Sequence, residues 1–268
     1  MPNESPSVLA LAAVLLASVL GGAINSIAGG GTLAIFPALV ALGLPPLTAN
    51  ATTTVALWPG ALSSMWGYRG ELGGARAWVL RLTLPSVAGG ALGAWLLLRT
   101  PPDRFARIVP ILVLGATLLF LAQAPLMRHL RQRRGEAAPA AGAERDDQGV
   151  APWPFITGQF VIGIYGGYFG AGIGILMLAG LGFMGFTNIH RMNGVKNWGA
   201  VCMNVVAAAI FAASGIVQWP VALAIAAGAL LGGYAGARLA QRVGQKPVRR
   251  AIVAIGFASF LFLLVRGI

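Results

Sequence analysis

The feature that most constrains this chain is the recurrence of uncharged apolar stretches about as long as a bilayer core is thick. They run from Val8 to Ala28, Leu47 to Tyr68, Leu82 to Leu98, Ile108 to Met127, Val150 to Ile189, Trp198 to Ala237 and Ala251 to Val265. A helix crossing the hydrocarbon core needs about 20 apolar residues, so the longest stretches must be split by internal turns. A mean hydropathy of +0.78, with only 10% charged residues, leaves the bilayer as the solvent. The chain is therefore predicted to be an all-α polytopic membrane protein. Met1 to Ser7 carries Glu4 and no Lys or Arg, unlike a secretory leader, so the first stretch reads as a retained helix.

The net charge of +12 does not predict nucleic-acid binding. The basic residues occupy short loops between apolar runs, where the positive-inside rule accounts for them. Cys202 is the one cysteine, and His129 and His190 are the two histidines. No internal disulfide, Cys- or His-based metal cluster or cofactor is expected.

The chain repeats itself. Gly22, Gly29 and Gly31 recur at Gly163, Gly170 and Gly172, an offset of 141 residues. Gly89-Gly90 through Ala94 recurs as Gly232-Gly233 through Ala237 at an offset of 143. Between the copies, Arg128 to Gly149 has the composition of a mobile linker. Residues 1–127 and 150–268 are thus predicted to be two transmembrane repeats joined by a linker at 128–149, each with five helical segments. The second segment of the first repeat, Thr32 to Leu42, is too short to span upright.

With the linker in the cytoplasm and an even number of crossings in the first two segments, fifteen of the nineteen Lys and Arg fall inside. Only Arg99, Arg104, Arg107 and Arg266 fall outside. The repeats then start on opposite sides of the inner membrane, the inverted plan of many secondary transporters. Charge parity leaves open whether the first two segments cross twice or form a re-entrant hairpin.

Candidate chemistry gathers at the glycine loops, Gly29-Gly30-Gly31-Thr32 and Gly170 to Gly174. A helix break in a membrane is tolerated in protein or against a watery cavity, and the helix restarting after it points unpaired N–H groups and a positive dipole end at whatever lies there. Two such ends meeting would cradle a small anion, although the glycines would also serve tight packing. Asn25 precedes the first loop, and Thr32 either caps the new helix or meets a ligand. Thr52 and Thr53 in one half, with Asn193, Lys196, Asn197 and Asn204 in the other, occupy matching places after the short segments. The spacing of the latter four puts them on one helix face. Lys196 reads as the anion's partner or as a lysine snorkelling to the interface.

Gly89 with Gly93, and Gly228, Gly232 and Gly236, repeat at four-residue spacing, a packing pattern that also offers a homodimer seam. The seven acids, Glu4, Glu71, Asp103, Glu136, Glu144, Asp146 and Asp147, lie at termini, in loops or at helix ends. This disfavours cation transport and carboxylate catalysis, and the chain is not read as an enzyme.

With these residues in view, the chain resembles the TauE/SafE family of sulfite and organosulfonate permeases, also called TSUP, from about Gly21 to Val265. The resemblance rests on Gly22, Asn25 and Gly29 to Gly31; Pro37 and Gly43-Leu44-Pro45-Pro46; Ala51-Thr52; the second glycine loop; Ile189 to Asn193 with Lys196-Asn197; and Trp219 after Gly215. It departs at Leu178, which stands where the first half has Pro37. The resemblance implies transport, often outward, of a small anionic sulfur compound. A passive anion channel and an importer are the alternatives.

Overall fold

The computed structural model describes residues 8–72, 75–133, 153–184, 186, 188–240 and 246–267, and contains no strand among them. Ten α-helices follow one another: α1 (Val8–Ala28), α2 (Gly31–Ala41), α3 (Pro46–Gly67), α4 (Arg76–Arg99), α5 (Pro102–Arg133), α6 (Trp153–Tyr168), α7 (Ile173–Phe183), α8 (Ile189–Ser214), α9 (Trp219–Ala240) and α10 (Lys246–Val265). A short 3-10 turn, Arg69–Glu71, links α3 to α4. Helix α5 continues to Arg133, into the segment read as linker, and residues 134–152 lie outside the described set. Among the described residues α4, α8 and α9 are individually long and apolar enough to cross a bilayer.

The packing is two-fold in pattern. Exchanging α1–α5 with α6–α10 turns the α1–α9 pairing into α6–α4, α3–α9 into α8–α4 and α2–α10 into α7–α5, all of which occur. The α3–α8 and α5–α10 pairings map onto themselves. The correspondence reaches single residues. A Cβ on Gly89 would meet Phe160 O, and one on Gly232 would meet Val19 O; Gly93 faces Ile164, and Gly236 faces Ala23; Gly90 faces Met203, and Gly233 faces Gly60. Each pair repeats at the 141- and 143-residue offsets. Glycine is required here because backbone meets backbone, the close approach that small residues permit between membrane helices. Within the chain these glycine faces are covered by neighbouring helices.

Helices α3 and α8 run antiparallel to each other. Tyr68, at the end of α3, stacks on His190 at the start of α8 with ring centroids 6.3 Å apart. Thr52, near the start of α3, accepts from the Gln218 N–H just beyond α8, at 3.1 Å. One end of the bundle therefore carries Arg69, Arg191 and Arg238, and the other carries Arg99, Arg104 and Arg266.

The short helices α2 and α7 fold back against the helices that precede them. Helix α1 runs parallel to α9, Leu15 lying by Gly228, Val19 by Gly232 and Ala23 by Gly236, so it starts at the Arg99 end. Helix α2 returns there, since Arg266 at that end donates to Val40 O at 3.0 Å. Eleven residues rise only about 16 Å, too little to span. Thus α1 and α2 form a helical hairpin from the Arg99 end, and α6 and α7 form its counterpart from the Arg69 end. The tips meet inside the bundle: a Cβ on Gly29 would stand 2.6 Å from Gly174 Cα.

Candidate functional site

Both tips depend on left-handed backbone, with φ of +75° at Gly29 and +79° at Gly170 and Gly172, a region in which glycine alone is unstrained. The first N–H groups of α2 and α7 have no carbonyl within their own helices. The starts of the two helices lie against each other, Gly29 beside Gly174, which brings two positive dipole ends together. The Tyr165 hydroxyl ties the second tip in place by donating to Ala171 O at 2.8 Å.

At that junction lies a cavity of about 20 Å³ lined by Asn25, Gly29, Thr32, Thr54, Leu57, Phe169, Gly170, Ile173, Gly174, Lys196, Asn197, Ala200 and Asn204. Its frame is two-fold, because Gly29 pairs with Gly170 and Thr32 with Ile173 at one offset, and Thr54 with Asn197 and Leu57 with Ala200 at the other. The chemistry is not. Lys196 stands where the first half has Thr53, Asn25 where the second has Gly166, and Asn204 where the first has Ala61.

Lys196 is 1% exposed and does not snorkel. Its ammonium donates to Asn25 O at 3.2 Å and Ser26 O at 3.0 Å, carbonyls in the last turn of α1, the first of which also accepts from the Gly29 N–H at 2.9 Å. The cation also faces the negative end of that helix dipole. An ammonium has three donors, so one remains for the cavity that Lys196 lines. No carboxylate lines the cavity.

Of the residues singled out from the sequence, Asn25, Gly29, Thr32, Gly170, Lys196, Asn197 and Asn204 share this cavity. Gly30 and Gly31 begin α2 behind it, Gly31 packing on Gly21 and on the Asn25 side chain. Gly172 packs on Ala116. Thr32 makes no cap, since α2 starts from Gly30 without a side-chain hydrogen bond. Thr52 is committed to Gln218, and Thr53 donates back to Ala49 O at 2.7 Å. Asn193 is fully buried beside the cavity wall, both ends of its carboxamide without a protein partner.

Thr54 was not singled out, although carrying Asn197 back by the 143-residue offset lands on it. The cavity holds about one water-sized probe. A larger ligand would need the tips to part.

The sulfite exporter TauE/SafE family model matches residues 14–263. The chain is 31% identical over 95% of its length to 92% of a Sinorhizobium sp protein named "Probable membrane transporter protein ORF9". It is 31% identical over 93% of its length to 87% of "Probable membrane transporter protein YfcA" of Escherichia coli K12. It is 29% identical over 92% of its length to 91% of a "Probable membrane transporter protein" of Haemophilus influenzae. No solved structure gives a significant match.

Proposed function

We propose that this chain, which belongs to the sulfite exporter TauE/SafE family of membrane transporters, carries a small sulfur-containing oxyanion such as sulfite or an organosulfonate out across the inner membrane. The observation that carries this reading is the meeting of two glycine hairpin tips around Lys196. Backbone N–H groups of α2 and α7, together with Asn25, Thr32, Asn197 and Asn204, supply donors around one buried cation, while the Thr54 hydroxyl donates back to Asn50 O at 3.0 Å and only lines the wall. This is an anion's coordination shell, and a cation would find no carboxylate in it.

The two repeats, 1–127 and 150–268, are read as an inverted pair joined by a cytoplasmic linker. The opposite courses of α3 and α8 support that reading, as does the positive-inside bias, which puts the Arg69 end in the cytoplasm. Alternating access follows if one hairpin-bearing half moves against the other. The small volume of the cavity, about 20 Å³, favours such a carrier over an open pore. Export needs no coupling ion, because moving one negative charge outward across about 100 mV, inside negative, gains about 2.3 kcal/mol.

The test is flux from proteoliposomes loaded with sulfite, sulfoacetate or another anionic sulfonate. Efflux that is driven by an inside-negative potential and lost in Lys196→Ala is the expected result. No flux of any of these anions, with no effect of the substitution on binding, overturns the reading.

A further inference from the structure

The central cavity is flanked by different chemistry towards the two ends of the bundle. Towards the Arg99 end stand aromatic rings, Phe36 against Phe169 at 5.5 Å, Phe105 against Tyr168 at 5.8 Å and Phe105 against Phe169 at 6.4 Å between centroids. Towards the Arg69 end stand polar groups. Among the described residues, the buried side-chain hydroxyls and amide nitrogens without a protein partner are those of Ser26, Tyr68, Asn193 and Asn197.

These four stand between two cavities. Asn197 lines the cavity. Asn193 sits one turn nearer the Arg69 end, in the middle of the helical arc that Lys196, Asn197, Ala200 and Asn204 define. Ser26 offers its carbonyl to Lys196, and its hydroxyl is approached by that of Tyr68, outside good hydrogen-bond geometry. Tyr68 in turn borders a second cavity, of about 220 Å³, whose wall carries Arg69, Arg238 and one carboxylate, Glu71.

Packing does not require these groups. The repeat offsets carry Ser26 to Gly167, Tyr68 to Phe211 and His190 to Leu47, so the same fold fills the matching places without a polar side chain. Asn193 corresponds to Asn50, which spends its amide nitrogen on Tyr168 O at 2.9 Å. Gln159 likewise donates to Ser86 at 2.9 Å. Among the described residues, the hydroxyl and amide donors left unspent belong to the central cavity, at Asn197, and to the side of it towards Arg69, at Ser26, Asn193 and Tyr68, and a buried unpaired donor is costly.

We propose that Ser26, Asn193 and Tyr68 form a second, uncharged station of hydroxyl and amide groups for an oxyanion between the central cavity and the mouth at Arg69 and Arg238, with the Tyr68 ring as the gate between the two cavities. The inference rests on the transporter reading but not on sulfur as the cargo.

The test uses the single-cysteine character of the chain. In a Cys202→Ser background, Asn193→Cys is exposed to a sulfonate-bearing thiosulfonate reagent and to a cationic one of similar size, in vesicles of known orientation. Reaction from the Arg69 side, faster with the anionic reagent by roughly tenfold or more, is expected. Asn50→Cys should stay inert. Tyr68→Ala should speed labelling of Asn193→Cys by roughly tenfold again. Ser26→Cys serves as the second reporter if Asn193→Cys is not monodisperse. A folded reporter that is inert from both sides, or indifferent to reagent charge, overturns the proposal. Labelling without sulfite flux would sink the cargo and keep the route, whereas sulfite flux without labelling would sink the route alone.

Discussion

Gly29 and Gly174 touch across the centre of the bundle, the place for a Gly29 Cβ lying 2.6 Å from Gly174 Cα. Two helical hairpins entering from opposite ends thus meet backbone to backbone, and the site is built where neither helix continues. What the pair holds in common is glycine, and what distinguishes the halves is the lysine beside it.

Gly29→Ala should therefore fail twice over, through the left-handed φ of +75° and through collision with Gly174. Gly43→Ala is the control, with φ of +92° but open space around the new methyl. Thermal unfolding in detergent should show a loss of about 1–2 kcal/mol for Gly43→Ala and clearly more for Gly29→Ala. Transport should vanish only in the latter.

Lys196→Met keeps the length of the side chain and removes the charge together with its bonds to Asn25 O and Ser26 O. Two carbonyls lose a partner, so stability should fall by about 1–3 kcal/mol, while a buried charge is no longer carried. Flux should drop by far more than this modest change would cause. A variant that folds and still transports at the wild-type rate would remove Lys196 from the site.

Asn197→Asp places a carboxylate against the cavity beside Lys196. The two charges pair, so the fold should survive, but the net positive field that attracts an anion is cancelled. Sulfite uptake and efflux should both fall by roughly tenfold or more, and a size-exclusion profile like that of the wild type would show that the loss is not one of folding.

Gly93→Leu and Gly236→Leu test the internal symmetry, because each replaces a glycine seated on the matching helix, at Ile164 and Ala23 respectively. Overpacking of this kind costs about 1–3 kcal/mol, and the two substitutions should shift the unfolding temperature by similar amounts. Widely unequal shifts would argue against equivalent contacts.

The sequence makes the duplication legible because backbone contacts between helices need glycine at fixed places, and Gly89, Gly93, Gly232 and Gly236 keep those places. The tips were legible for the same reason, since no other residue type breaks an apolar helix so cheaply. Hairpin and double crossing were not separable, because zero and two crossings leave every charged loop on the same side. The choice among Thr52, Thr53 and Thr54 was also hidden. Each residue turns the helix by about 100°, and only packing on α8 and on Gln218 decides that Thr54 faces the cavity. Ser26 and Tyr68 carried no signal of their own, as their meaning lies in the contrast with Gly167 and Phe211 across the repeat.

The most direct measurement is isothermal titration of the purified protein with sulfite, compared with Lys196→Met. One saturable site, weakened by roughly tenfold or more in a variant that remains folded, is the predicted result. Equal binding in the two proteins, or no binding of sulfite or any sulfonate to the wild type, would contradict the claim that the glycine tips and Lys196 hold the anion.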